Sequence, residues 1–307
     1  MKIYNIEGNS KKEVKLPSQF SESYHPDLIK RAVLTIQSNK RQKYGASVRA
    51  GKDYSAKLSR RRKDYRGGYG RGMSRVPRKV IWRRGTQFGL VGAEAPGTVG
   101  GRKAHPPKAE KNFTKKINLK EKRKAIRSAL SATMNRELVE KRNHIIPKLF
   151  PLIIEDKLES IKKTKEIISI LEKFDLKKEL TRCSQKKVRA GKGKTRNRKY
   201  RKKTGPLIVV SKKCELQKSA KNIPGIDIIE IKNLNTELLA PGTQAGRLTI
   251  YTDKAIEVLE KERLFTNNPV KKEIIKKEVK KKEIKKEVKK KEIKKPIKKT
   301  EVKKETK

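Results

Sequence analysis

The chain has 307 residues, and its 85 Lys and Arg against 33 Asp and Glu give a formal charge of +52. Self-repulsion on this scale opposes a compact fold, so we expect a polyanionic partner, of which nucleic acid is the main candidate and an anionic membrane the other. No apolar run reaches the roughly 18 residues of a membrane-spanning helix, and the first residues lack a secretion signal, so we expect a cytoplasmic protein. Two isolated cysteines, Cys183 and Cys214, support neither a disulfide framework nor a metal cluster.

Most of the positive charge lies in three segments. Residues 40–111 carry 21 Lys and Arg, four acidic residues and 12 of the 19 glycines. Residues 186–203 carry 11 basic residues and no acidic one, and residues 270–307 carry 19 Lys and seven Glu. The remaining sequence has the composition of an ordinary folded domain. We therefore predict a globular body within residues 1–269, which an extended internal loop at 40–111 interrupts and a tail at 270–307 follows.

Three helices are predicted in the first part of the body. Apolar residues recur at helical spacing over Pro26–Gln37, and proline suits the first position of a helix. Leu119–Val139 has one apolar stripe with charged residues opposite it, which is typical of a helix that packs on a core. Glu155–Phe174 has a similar pattern and predicts the third helix.

The chain after residue 205 predicts alternating strands and helices. Three short apolar runs have strand length, and short helical stretches separate or follow them. Strands that are apolar throughout favour a parallel sheet covered on both faces, so the predicted fold class is α/β, a small parallel sheet with flanking helices. The alternative is a loose set of short elements without a sheet. The predicted strands are Leu207–Val210, Asp227–Ile231 and Arg247–Tyr251, and the predicted helices lie around Glu215–Ala220, Asn235–Leu239 and Asp253–Lys261, the last capped by Thr252 or Asp253.

Residues 40–111 show no sustained period of 3.6 or 2, which predicts a long non-globular basic loop. Such a segment is uncommon inside a compact domain unless it is functional or disordered. Ordering its backbone costs on the order of 1 kcal/mol per residue, so we expect a partner to supply phosphate contacts and base stacking. Its glycines allow close approach, its arginines bind phosphate and its aromatic residues can stack on bases. The alternative is a flexible Arg-Gly segment that binds RNA loosely and stays disordered.

The stretch Gly193-Lys194-Thr195 has the ending of a phosphate-binding P-loop. A P-loop requires an earlier glycine, where this chain has Val188, and a buried strand before the loop. We therefore interpret the stretch as a flexible basic loop whose amides and lysines face a phosphate backbone. The three histidines lie far apart, and no Ser or Cys has a nucleophile setting. The sequence accordingly predicts no enzyme, no catalytic residue, no metal site and no cofactor.

The C-terminal tail contains an exact repeat, because Lys276–Ile284 recurs as Lys285–Ile293. Its apolar residues are spaced five, four and five apart, so they form no single helical stripe that could lie on a membrane. Pro296 interrupts the pattern as well. We predict a disordered lysine-rich arm that binds phosphate without specificity.

Several separate motifs resemble the family of large-subunit ribosomal protein number four, in its archaeal and eukaryotic form. The resemblance covers roughly residues 1 to 265 and excludes the tail. It implies an α/β body on the outer surface of the large ribosomal subunit, bound to large-subunit rRNA. The motifs that carry it are Gly68-Tyr69-Gly70-Arg71, Arg75-Val76-Pro77-Arg78, Gly100–Pro107, Val188–Arg198, Lys203–Val210, Ile223-Pro224-Gly225 and Leu238–Gly242.

The resemblance also implies a position for the internal loop. In the family the loop threads inward and lines the peptide exit tunnel, and its tip carries Gly-x-Gly-Arg, which here is Gly68, Gly70 and Arg71. The implied partners are large-subunit rRNA, neighbouring large-subunit ribosomal proteins and, near the loop tip, the nascent peptide, with no membrane. The residues expected near the tunnel are Arg66, Gly68, Tyr69, Gly70, Arg71 and Arg75.

The residues expected to bind rRNA lie on the two internal basic segments. The alternative function is a free RNA chaperone or a nucleic-acid-compacting protein, which would use the Arg-Gly segment and the tail. The expected rRNA-binding residues are Arg49, Lys52, Arg60, Arg61, Arg62, Arg78, Lys79, Trp82, Arg83, Arg84, Arg102, Lys103, His105, Arg189, Lys192, Lys194, Arg196 and Arg198.

Overall fold

The computed structural model describes residues 1–268, so the predictions for the tail at 270–307 lie outside the described residues. The chain divides into two compact units. The first unit comprises Met1–Gln37 and the chain from Lys116 onward, and the second comprises Ser38–Lys115. All residues of the predicted internal loop, 40–111, fall in the second unit.

The described residues contain eleven strands and eight α-helices. The strands are β1 Lys2–Tyr4, β2 Ser10–Glu13, β3 Ala56–Lys57, β4 Arg78–Arg84, β5 Gln87–Gly92, β6 Leu152–Ile154, β7 Lys187–Val188, β8 Tyr200–Arg201, β9 Leu207–Val210, β10 Asp227–Glu230 and β11 Thr249–Thr252. The helices are α1 Pro26–Lys40, α2 Leu119–Met134, α3 Arg136–Lys141, α4 Thr164–Lys173, α5 Lys177–Ser184, α6 Leu216–Ser219, α7 Thr236–Leu239 and α8 Asp253–Lys261. Across residues 1–268, no helix combines the length and the apolarity needed to span a bilayer.

The first unit is built on a six-stranded sheet in the order β10-β9-β11-β6-β1-β2. The β10–β9, β9–β11, β11–β6 and β6–β1 pairs are parallel, and only the β1–β2 pair is antiparallel. The predicted α/β class and the three predicted strands after residue 205 are confirmed. The prediction of a small parallel sheet is confirmed in part, because most strands are parallel but β1, β2 and β6 enlarge the sheet and β2 runs antiparallel to β1. The strands β1 and β6 have three residues each, too few to show a period of two.

Helices cover both faces of this sheet. Leu207 and Val209 of β9 pack into one apolar cluster with α1, α2, α7 and α8, while Ile208 and Val210 pack into a second cluster with α3, α4 and α6. Alternate side chains of a strand point to opposite faces, so a continuous apolar run is required where both faces are covered. The run at 207–210 is fully buried for this reason.

Two predicted long helices are broken in the structure. The helix predicted over Leu119–Val139 ends at Met134, because Asn135 is extended and its side chain accepts a hydrogen bond from Glu137 N to cap α3. The helix predicted over Glu155–Phe174 is wrong for its first half, where a 3₁₀ turn at Asp156–Ser160 precedes α4. The turn places the buried Glu159 carboxylate against Ser211 and Thr252, a tertiary contact that helical periodicity does not report.

The end of the sheet agrees more closely with the prediction. The helix α8 has the predicted bounds, and Thr252 is its N-cap residue, although its hydroxyl donates to Glu159 instead of capping the helix. The Asp156 carboxylate accepts from Lys254 N at 2.7 Å and satisfies one amide of the first turn.

The second unit contains a three-stranded antiparallel sheet, β3-β4-β5. Gly85 and Thr86 form a two-residue turn between β4 and β5, and Gly85 has a φ of +55°. Glycine is favoured at the first position of such a turn because it adopts positive φ without steric cost. The prediction of a loop without regular structure is therefore wrong for residues 78–92. A bulge between Val80 and Trp82 shifts the register and obscures the alternation along β4.

Candidate nucleic-acid interface

Two limbs of the second unit lie side by side. Ala46 N donates to Pro107 O at 2.9 Å, which joins the outgoing limb to the returning one. A Cβ on Gly51 would lie 2.6 Å from Arg102 Cα, and Gly51 has a φ of +76°. Only glycine allows this approach of two backbones. The pairing leaves the predicted rRNA-binding residues Arg49, Lys52, Lys103 and His105 exposed, whereas Arg102 is half-buried.

A cavity of about 240 Å³ lies in the second unit, around the predicted loop tip at Gly68, Gly70 and Arg71. It brings together basic residues that are far apart in the sequence, Lys57, Arg60, Arg66, Arg75 and Arg78. The backbone turns sharply here, with positive φ at Arg66, Gly70 and Gly72. Five of the six residues predicted near the tunnel line this cavity, and the sixth, Arg71, is exposed beside it in the sequence. The lining residues of the predicted tunnel group are Arg66, Gly68, Tyr69, Gly70 and Arg75.

Phe88 organises a small aromatic and cationic cluster on one face of the β4–β5 hairpin. Its ring is almost fully buried, and the Tyr65 ring packs edge-on against it at 5.2 Å between centroids. The guanidinium carbons of Arg66 and Arg83 lie 5.3 and 5.7 Å from the Phe88 centroid. Cation–π contacts of this kind hold a guanidinium in place while its N–H edge remains able to bind phosphate. Phe88 was not predicted as a site residue.

A second concave surface of the same unit is formed by residues near its two ends in the sequence. The Arg41 guanidinium carbon lies 4.2 Å from the Phe113 centroid, and the Tyr44 and Phe113 rings stack 6.3 Å apart. His105 lines this surface together with Lys108, and the cavity measures about 790 Å³. Arg41 and Phe113 were also absent from the prediction. The alternation of basic and aromatic residues near residues 41–44 was the sequence signal that could have identified Arg41.

The second internal basic segment forms a β-ribbon in the first unit. The strands β7 and β8 pair antiparallel, and Arg189 N donates to Lys199 O at 2.8 Å. Gly193-Lys194-Thr195 lies in the turn of this ribbon, where Arg198 N donates to Gly193 O at 3.0 Å. A P-loop instead joins a buried strand to a helix, so the interpretation of this stretch as something other than a P-loop is confirmed. The five predicted contact residues Arg189, Lys192, Lys194, Arg196 and Arg198 are all exposed.

The predicted rRNA-binding residues therefore occupy accessible positions on both basic segments. Those on the β4–β5 hairpin are Arg78, Lys79, Trp82, Arg83 and Arg84, and Lys79 Nζ lies 4.0 Å from the Tyr54 centroid. Of the predicted rRNA-binding residues, only Arg78, Lys79 and Arg102 are half-buried, and the others are exposed. Arg60, Arg61 and Arg62 are exposed and precede the predicted loop tip in the sequence.

A buried arginine and a partly buried one anchor the root of the β7–β8 ribbon to the body. Arg247 is 1% exposed and donates to Gly205 O at 2.9 Å, to Leu238 O at 3.1 Å and to Asp227 Oδ2 at 2.5 Å. Arg182 donates to Thr204 O at 2.8 Å, one residue before Gly205. The guanidinium groups of Arg182 and Arg247 therefore fix Thr204 and Gly205, the residues that connect the ribbon to β9. Sequence reasoning did not identify this role, because nothing in the local pattern distinguishes a buried arginine from an exposed one.

Glu179 is the buried acid of this anchor. Its carboxylate accepts from Arg182 at 2.6 and 2.7 Å, lies 2.6 Å from His144 Nδ1 and accepts from Ile145 N at 3.0 Å. Burial alone would raise the pKa of Glu179, but these hydrogen bonds outweigh it and hold the pKa at about 2. Burial lowers the pKa of His144, and the contact with Glu179 opposes that shift only in part.

This network predicts a pH-dependent part of the stability of the body. The folded pKa of Glu179 is about 2 against an ordinary value of 4.5, so unfolding takes up a proton between these pH values. The contribution is therefore present above about pH 4.5 and is lost as the pH falls toward 2. His144 acts in the same direction below its ordinary pKa of 6.5. Denaturant unfolding over this pH range should show a steeper loss in the wild type than in Glu179→Gln, and parallel curves would contradict the assignment.

The carboxyl edge of the sheet is closed by the chain itself. The chain leaves β9 toward α6 on one face and leaves β11 toward α8 on the other. Open α/β sheets bind ligands in the crevice where neighbouring connections diverge in this way. Here the Glu159 carboxylate fills the crevice, accepting from Ser211 N and Ser211 Oγ at 2.8 Å and from Thr252 Oγ1 at 2.7 Å. Within residues 1–268, no group of three or more His, Cys, Asp or Glu is placed to hold a metal ion.

The fold and the exposed charge define a class of protein. A closed α/β body that carries two glycine-rich, basic and aromatic segments has the construction of a nucleic-acid-binding protein. The family model for the ribosomal protein L4/L1 family matches residues 14–262. The chain belongs to the ribosomal protein L4/L1 family, which confirms the resemblance seen in the sequence.

Curated archaeal relatives match over almost their whole length. The chain is 52% identical over 264 residues to the large ribosomal subunit protein uL4 of Nanoarchaeum equitans, covering 86% of this chain and 98% of that protein. It is 43% identical over 259 residues to the protein of the same name from Archaeoglobus fulgidus, covering 84% and 97%. It is 45% identical over 259 residues to that of Methanococcoides burtonii, covering 84% and 96%.

Proposed function

We propose that this protein is a structural constituent of the large ribosomal subunit that binds large-subunit rRNA. The observation that carries the proposal is the display of exposed basic side chains on two segments of a chain whose relatives are named large ribosomal subunit proteins. Within unit 38–115, Arg49 pairs with Asp53 and Lys57 pairs with Asp64. The segment 40–111 nevertheless contains 21 basic residues and only four acidic ones, so most of its positive charge has no acidic counterpart in the segment. RNA phosphates supply the missing negative charge.

The binding mechanism rests on charge neutralisation and close backbone approach. Arginine side chains of the tip and of the β4–β5 hairpin bind phosphates in the bidentate mode. Lysine side chains and backbone amides at the turn of the β7–β8 ribbon contact the phosphate backbone of a second stretch of RNA. These contacts position RNA segments that would otherwise repel each other, and they require no catalysis by the protein.

The tip of the second unit is proposed to form part of the wall of the peptide exit tunnel. The cavity lined by Arg66, Tyr69 and Arg75 supports this proposal, because it presents a basic and polar surface at the Gly-x-Gly-Arg turn. The nascent peptide would pass close to this turn. Neighbouring large-subunit proteins are the further partners, and the site of action is the ribosome in the cytoplasm.

Sedimentation tests the proposed function against the free-chaperone alternative. The full-length protein, expressed in its own host with a small tag, should sediment with large subunits and stay there after a moderate salt wash. Electrostatic contacts alone would be lost, but a protein embedded among RNA segments dissociates slowly. A protein found mainly at the top of the gradient at low salt would instead be a free RNA-binding protein, and the proposal would be wrong.

The lysines of the β7–β8 ribbon should contribute to the salt dependence of rRNA binding. Each phosphate contact adds about 0.9, on the scale of duplex DNA, or about 0.7, on that of single strands, to the magnitude of the negative slope of log K against log salt. The double variant Lys192→Ala/Lys194→Ala is therefore expected to make this slope shallower by about 2 in filter-binding measurements with large-subunit rRNA. The matched control Lys165→Ala/Lys173→Ala removes the same charge from exposed positions of α4 and should leave the slope unchanged. Equal slopes for the two variants would show that these ribbon lysines do not contact rRNA phosphates.

A further inference from the structure

The single tryptophan of the chain lies across a glycine on the β4–β5 hairpin. Trp82 and Gly89 are direct cross-strand partners. A Cβ built on Gly89 would lie 2.2 Å from Trp82 Nε1 and 2.5 Å from Cδ1, so one face of the indole lies directly on the Gly89 backbone. The Trp82 side chain nevertheless remains 54% exposed. The hairpin therefore holds the indole from one side and leaves the other side accessible.

The residues that share this face are also exposed. Beyond the bulge at Ile81, alternate side chains place Arg84 on the same face as Trp82, opposite Gln87. Arg84 and Gln87 are exposed, and Val91 on the same face of β5 is 42% exposed. The opposite face carries Phe88 and its contacts with Arg83. One face of the hairpin thus packs on its own unit, while the other presents an aromatic ring, a guanidinium and an amide to solvent.

We propose that the face formed by Trp82, Arg84 and Gln87 binds an unpaired nucleotide of RNA. A nucleobase stacks on the open side of the indole, Arg84 binds the adjoining phosphate and the Gln87 amide hydrogen-bonds to the edge of the base. Unpaired bases stacked on aromatic side chains are the usual basis of single-strand RNA recognition. The proposal rests on the proposed function, because it specifies which structural feature of rRNA this hairpin binds.

The composition around the hairpin favours RNA over a protein partner. The segment 40–111 carries 21 basic and four acidic residues, and Arg83 and Arg84 directly follow Trp82. A partner protein would have to bring a strongly acidic surface to match this charge, whereas every nucleotide brings a phosphate beside its base. The indole of Trp82 can lie flat against the backbone of β5 because Gly89 has no side chain.

The fluorescence of Trp82 reports on this site without interference, because the chain contains no other tryptophan. The full-length protein is titrated with short single-stranded oligoadenylate, with an RNA duplex of the same length and with heparin, a polyanion without bases. Oligoadenylate is expected to quench Trp82 emission strongly, and the duplex and heparin are expected to bind with little quenching. Equal quenching by heparin, or binding of oligoadenylate with unchanged emission, would overturn the proposal.

Matched variants separate stacking from charge. Trp82→Leu should weaken oligoadenylate binding at least about fivefold, because one stacked base is lost, whereas Trp82→Phe should retain most of the affinity. Gly89→Ala should displace the indole and weaken binding similarly with every charge retained. Gly97→Ala, at a glycine with open space around the added methyl, is the control and should bind as the wild type does. Equal affinities for Trp82→Leu and Trp82→Phe would show that the indole only covers Gly89.

These outcomes distinguish the two proposals. Heparin and rRNA binding that persist without any Trp82 response would overturn the nucleotide site and leave rRNA binding intact. Failure of the full-length protein to bind any RNA would overturn the proposed function as well. A change in Trp82 emission caused by large-subunit proteins but not by RNA would assign this face to a protein partner, and the nucleotide proposal would be wrong.

Discussion

Replacing Glu179 with glutamine is expected to destabilise the body by about 3 to 5 kcal/mol, the usual cost of removing one partner from a buried ion pair. The Glu179 side chain is fully buried, and that of Arg182 is 14% exposed. Glutamine has nearly the same shape, so the loss measures charge and not volume. It leaves Arg182 without its counter-charge and His144 without its carboxylate partner, and the repulsion among nearby cationic groups increases.

The surroundings of Glu179 make its negative charge unusually important. Burial, together with the nearby positive charges of Arg247 and Arg182, lowers the pKa of Arg142 to about 10. The half-exposed carboxylate of Asp227 lies 2.5 Å from the Arg247 guanidinium and offsets part of its positive charge. Because Arg182 also holds Thr204, the Glu179→Gln substitution should loosen the root of the β7–β8 ribbon as well.

An exposed pair on the same unit provides the control. Glu140 pairs with Arg136 one helical turn away at 3.0 Å, with both side chains more than half exposed. Glu140→Gln removes the same charge and should cost only a few tenths of a kcal/mol, roughly 0.5 at most. Urea unfolding of both variants measures the difference. A Glu179→Gln protein as stable as Glu140→Gln would mean that the buried network does not hold this part of the body together.

Deleting residues 66–75 is expected to leave the body folded and to change the exit tunnel. The deleted residues lie entirely within unit 38–115, and the two large apolar clusters of the body consist of residues outside it. The unfolding midpoint of the body should therefore stay close to that of the wild type. Loss of Arg66, Tyr69, Arg71 and Arg75 would remove a basic and aromatic surface from the proposed tunnel wall.

Large subunits that carry the deletion provide the decisive measurement. A cryo-EM map should show a wider tunnel at the position of the missing tip, and cells should change their sensitivity to drugs that bind in the tunnel. The variant Arg66→Ala/Arg71→Ala/Arg75→Ala keeps the length of the loop and separates the effect of charge from that of bulk. Unchanged tunnel density together with unchanged drug sensitivity would place the tip elsewhere.

The parts of the fold that could be predicted are those with a strong local pattern. The four-residue apolar run at 207–210 predicted a buried parallel strand, and the 3.6-residue period predicted α1 and α8. The short strands β1 and β6 carry too few residues for any period, and they are stabilised by pairing with partners far away in the sequence. The break at Asn135 and the 3₁₀ turn at Glu159 depend on polar contacts that override helical propensity.

The amino-acid sequence by itself determined the class of fold, the family and the segregation of positive charge, because period, motif and composition are properties of contiguous residues. Only the tertiary structure decided which polar groups are buried and which aromatic faces are open. Glu159, Glu179 and Arg247 are buried because distant segments supply their hydrogen-bond partners, and Trp82 lies flat because a glycine faces it across the hairpin. Burial and stacking depend on which residues meet in space, and that information appears only after the chain has folded.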